Sequence, residues 1–65
     1  MKLQIKDAGA WRDIGRFNPA RELEVRQVGA ALMAEMANQK AVMRIVDGVM
    51  ARAYCEAPFS TWRDV

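Results

Sequence analysis

The hydrophobic period of this sequence changes twice, and few folds accommodate the result. Leu3 and Ile5 alternate with Lys2, Gln4 and Lys6, the two-residue period of a strand with one buried face. From residue 19 the period lengthens: Val25, Val28, Leu32 and Met36 fall on one stripe at about 100° per residue, flanked by Gly29 and Met33. Beyond residue 40 it returns to two, with Ala41, Met43 and Ile45 alternating with Lys40, Val42 and Arg44. The expectation is an α+β fold of ββαββ order, a four-stranded, largely antiparallel sheet with one helix packed on one face. Residues 1–17 make the first hairpin, 18–38 the helix, 40–56 the second hairpin and 57–65 a tail, all in one domain spanning 1–65.

Turn chemistry supports these divisions. Asp7-Ala8-Gly9-Ala10 reads as the first turn, with Gly9 available for positive φ. The register then pairs Lys6 with Trp11 and Leu3 with Ile14, and a bulge at Gly15 is needed to keep Phe17 on the core side. Asn18-Pro19 is a helix start, since Asn accepts from first-turn amides and Pro is favoured at the first helical position. The helix runs over residues 19–37 and stops near Asn38. Around Asp47-Gly48, a three-residue loop formed by Val46, Asp47 and Gly48 pairs Ile45 with Val49, Met43 with Ala51, and Ala41 with Ala53. That register keeps apolar residues together, and a slip of one residue would scatter them, so it is preferred over a two-residue loop. Phe59 and Trp62 are expected to fold back over the edge of the core.

Sixty-five residues bury only about 60% of the surface that the unfolded chain exposes. Cys55 is the one cysteine, which excludes an internal disulfide, and the lack of histidine removes the usual zinc ligand sets. Self-association is the remaining route to a larger core, so a homodimer is expected. With a lone thiol and no signal-peptide core or long apolar run, the expectation is a cytoplasmic chain with no membrane segment and no metal. The eight acidic residues are scattered, the glycines are isolated, and Cys55 has no histidine to serve as base. No enzyme, catalytic residue or cofactor is therefore expected.

Two surfaces could recruit a partner. The outer sheet face gathers Lys6, Trp11, Val42, Arg44, Met50, Arg52 and Tyr54, with Val46 also exposed. Cations interleaved with rings suit single-stranded nucleic acid, and the apolar members suit a protein. On the helix, Leu23, Ala30, Ala34 and Ala37 line a stripe narrow enough to be a dimer seam. The leading expectation is a non-enzymatic assembly or protein-binding module, homodimeric; the alternative is a weak single-stranded nucleic-acid binder using the outer face.

Gly9-Ala10-Trp11-Arg12, the helix, and Val42-Met43-Arg44-Ile45-Val46-Asp47-Gly48 together resemble small uncharacterised proteins of bacteria and their prophages. Those proteins pair two hairpins around one helix. The resemblance implies a ββαββ fold in a bacterial or phage setting and carries no functional residue with it.

Overall fold

The computed structural model describes residues 1–36 and 40–65. Lys2–Asp7 (β1) and Ala10–Arg16 (β2) form the first hairpin; a single 3-10 turn, Pro19–Arg21, leads into the helix Glu22–Met36 (α1). Val42–Asp47 (β3) and Met50–Glu56 (β4) form the second hairpin, and Arg63–Asp64 (β5) adds a short fifth strand. The sheet is antiparallel throughout, in the order β2-β1-β3-β4-β5. The expected α+β class with one helix is found; the count of four strands is corrected to five. The extra strand comes from the tail, which turns back after Pro58 to pair Asp64 with Ala53 and Arg63 with Tyr54. Two residues are too few to show an alternating pattern in a sequence.

Both hairpins close with two-residue loops, and each has a bulge. Ala8 and Gly9 hold φ of 63° and 92° between Asp7 and Ala10, the positive dihedrals that tight hairpins favour. Lys6 pairs with Trp11 as expected, but the register shifts beyond Gln4, so Leu3 faces Gly15 and Ile14 is the bulged residue. In the second hairpin the loop is Gly48-Val49, with Gly48 at φ 63°. The pairings Ile45–Val49, Met43–Ala51 and Ala41–Ala53 are therefore corrected to Ile45–Ala53 and Met43–Cys55. A bulge opposite Val46 explains the difference: it takes up one residue of β4 and restores the apolar row beyond it. Met43, Ile45, Ala53 and Cys55 all end fully buried, so the segregation survives in a register other than either one weighed. Ala51 falls outside that row, and Val49 stands out in solvent.

The helix starts where Asn18 caps it, its side-chain oxygen accepting from the Ala20 amide at 2.9 Å. Residues 37–39 lie outside the described residues, and the expected stop at Asn38 falls among them. What differs most is the rotation of the helix. Gly29 and Met33 are buried while Val28, Leu32 and Met36 are 68%, 58% and 63% exposed, so the helix sits about a quarter turn from the expected stripe. The tail accounts for this. Trp62 donates from Nε1 to the Arg26 carbonyl at 2.9 Å, and the Arg26 guanidinium reaches Asp64 at 2.8 Å and Glu22. Those contacts hold the Glu22–Arg26–Gly29–Met33 side of α1 down. Phe59 is buried, Trp62 packs against the core of Met33, Ala41, Met43, Cys55 and Phe59, and the expected lid is thereby found. Phe59 holds φ 63° to place its ring, at a cost of about 1–2 kcal/mol.

Gly29 lies over Met43, and a methyl group added there would meet Met43 Sδ at 3.5 Å and Leu3 Cδ2 at 3.7 Å, ordinary contact distances. Gly29→Ala is therefore expected to stabilise the fold by up to about 1 kcal/mol through helix propensity. A rise of a few degrees in thermal midpoint is the expected readout; a fall would mean that the helix cannot yield even that much.

Candidate docking groove and outer sheet face

Rotation of α1 towards β4 and β5 leaves Ile14 on the inner face of β2 exposed, while Leu3 and Ile5 of β1 still pack against the core. The outcome is an open groove of about 370 Å³ between helix and sheet. Leu3, Ile14 and Met43 form its floor; Val25, Val28, Gly29, Leu32 and Met33 form its helical wall. Ile14, raised by the bulge, is 54% exposed. The lining is almost wholly hydrocarbon, with Arg21 and Glu24 at the rim, bridged to each other at 3.9 Å. A row of large apolar side chains left in water beside such a groove is a mark of an interaction surface.

Of the expected dimer seam, Leu23 and Ala34 are exposed, Ala30 is half-buried against the core, and Ala37 is outside the described residues. The seam residues therefore do not form one exposed stripe. The larger apolar face is its neighbour, Val28, Leu32 and Met36. Periodicity locates an apolar stripe without saying which of two adjacent stripes meets the sheet.

On the opposite face of the sheet, Arg44 sits among rings. Its guanidinium lies 3.9 Å from the Trp11 ring centre, Lys6 Nζ is 5.8 Å from the same ring, and Tyr54 is tilted against Trp11 at 6.4 Å. Strand pairing explains the grouping: Lys6 faces Trp11 and Val42, and Arg44 faces Gln4 and Tyr54. Arg44 Nε donates to Gln4 Oε1 at 2.7 Å, and Gln4 Nε2 donates to Asp13 at 2.6 Å. That hydrogen bond from Gln4, with Lys2 3.6 Å away, holds the Asp13 carboxyl below its usual range. Arg52 turns to Asp47 at 3.7 Å, and Met50 lies opposite Asp47 at the hairpin end, apart from the ring cluster. Val46, expected in solvent, is buried.

Cys55 is the buried thiol of the core. Burial pushes its pKa up from the ordinary 9.0, and the neighbouring Glu56 adds to the shift. A raised value means that folding favours the thiol form, so its contribution is intact below about pH 9 and is lost as the solution becomes more alkaline. Denaturant midpoints measured from pH 8 to 11 should fall less steeply for Cys55→Ala than for the unaltered chain. Identical slopes would contradict the assignment.

Among the described residues, no His, Cys, Asp or Glu side chains gather in a group able to hold a metal ion. No helix among them is long and apolar enough to cross a membrane. No family model, curated protein or solved structure matches the chain.

Proposed function

We propose that this protein is a non-enzymatic assembly module whose docking surface is the groove between α1 and β2, and that its partner there is a second copy of itself. The observation that carries the proposal is the groove, where Val28 and Leu32 stand beside the open Leu3–Ile14 floor. Three considerations favour a second copy. A surface of 4515 Å² exceeds the roughly 4,200 Å² typical of a monomer of this mass. An ordinary interface takes about 800 Å² from each partner, under a fifth of that surface. Charge is complementary too: Glu35 is exposed on α1 and Arg12 on β2, while Arg21 and Glu24 at the groove rim pair with each other.

An antiparallel pair of helices, related by a two-fold axis near Val28 and Leu32, sets each groove against the other's apolar row. It also brings the Glu35 end of one helix towards the Arg21 end of its partner. The same patch serves both copies, as closed symmetry requires. Sedimentation equilibrium at micromolar concentration is expected to return about twice the chain mass of 7.3 kDa. A folded species of 7.3 kDa would overturn the self-assembly reading.

A further inference from the structure

The outer sheet face lies on the other side of the molecule from the groove, so a site there would be independent of self-association. We propose that it binds single-stranded nucleic acid, with the Trp11–Arg44–Tyr54 cluster as the stacking platform and, as phosphate contacts, the exposed Lys6 together with Arg52, which would exchange its exposed 3.7 Å pair with Asp47 for a phosphate.

The cluster has the chemistry of such a site. Arg44 is half-buried, held at Nε by Gln4, with its guanidinium carbon 3.9 Å from the Trp11 ring centre. A guanidinium plane stacks a base as an aromatic ring does, and its remaining N–H groups can donate to base edges or phosphate. Among the described residues no carboxylate lies within ion-pair distance of Arg44; Asp13, the acid in its network, is engaged by Gln4 and Lys2. Tyr54 and Trp11 stand 6.4 Å apart with planes inclined at 55°, two ring surfaces of the kind that successive unpaired bases use. A duplex hides its base faces, so an unpaired strand is the form that this platform fits. Sequence preference is not implied, because stacking is open to every base.

The test is fluorescence anisotropy of a dye-labelled 15-nucleotide poly-dT strand titrated with the full chain. Binding at low salt is expected to weaken about a hundredfold for a tenfold rise in salt, the slope for roughly three neutralised phosphates on a single strand. Arg44→Gln and Trp11→Leu, each checked for an unchanged circular dichroism spectrum, are expected to weaken it about tenfold. Should either variant fail to fold, the exposed Lys6→Gln supplies the same reading through a shallower salt slope. Three outcomes overturn the proposal: no anisotropy change at low salt, equal binding by the Arg44 and Trp11 variants, or heparin competing as well as poly-dT per unit charge. The last would reduce the face to a polyanion contact without bases.

Discussion

Leu32→Asp is expected to turn the proposed dimer into a folded monomer. In a single chain Leu32 is 58% exposed, so a carboxylate there meets water and costs the fold little beyond the weaker helix propensity of aspartate. Across the proposed two-fold axis, the same substitution puts a charge from each copy into the hydrocarbon of its partner. A charge buried without a counterion costs several kcal/mol, so the dissociation constant should rise by at least about 100-fold. Sedimentation reads the mass, and circular dichroism confirms that the fold persists. Ala34→Asp, on the alanine side of α1, is the control and should leave the mass unchanged. If Ala34→Asp dissociates the protein and Leu32→Asp does not, the interface is the alanine stripe and the groove assignment fails.

Trp62→Ala should destabilise the fold by about 3 kcal/mol, the lower end of the range for removing a large core ring, since Trp62 is only half-buried. Three contacts disappear together: packing against the core, the Nε1 bond to the Arg26 carbonyl, and the stacking of Arg26 at 5.8 Å. For a chain of this size, each kcal/mol moves the thermal midpoint by about 4–8 °C, so a drop of roughly 15–20 °C is expected. Trp62→Phe keeps a ring and loses the hydrogen bond, for about 1 kcal/mol. A melting point for Trp62→Ala within a few degrees of the parent would show that the tail does not hold the helix.

The Arg26 network belongs to the same device. Burial disfavours the Arg26 charge, yet the hydrogen bonds it donates to Asp64 and Glu22 more than offset this and raise its pKa above the ordinary value. The guanidinium therefore stays charged between α1 and β5 throughout the accessible pH range, and the clamp does not titrate at its cationic end.

Much of this architecture can be read from local patterns. The alternation of Leu3 and Ile5, the cap at Asn18, the left-handed Gly48 and the pairing of Lys6 with Trp11 are short-range features, and each is found. Where expectation and structure part, the cause acts at long range. The second hairpin register depends on a bulge that no residue type demands, because Ala51 and Arg52 are unremarkable in a regular strand. The rotation of α1 is decided by Trp62 and Asp64, 36 and 38 residues from Arg26. A helical stripe four large residues wide is the natural choice for the core; what overrides it is a glycine that permits close approach and a tail that pulls on the other side. The Lys6, Trp11, Arg44 and Tyr54 part of the outer face follows from period-two alternation, whereas Val46 and Met50, next to the bulge and the hairpin end, do not. The groove is not legible in that pattern, because it exists only once the helix has been displaced.

Both margins of the sheet are poor templates for another strand. On one side β5 is two residues long; on the other, β2 is bent by its bulge at Ile14 and studded with Arg12, Asp13 and Arg16. Main-chain ribbons from neighbouring molecules find no straight ladder to extend, which disfavours endless lateral growth. Whatever this chain joins, it is directed to join by its flat sides, and an association through flat sides can close on itself and stop.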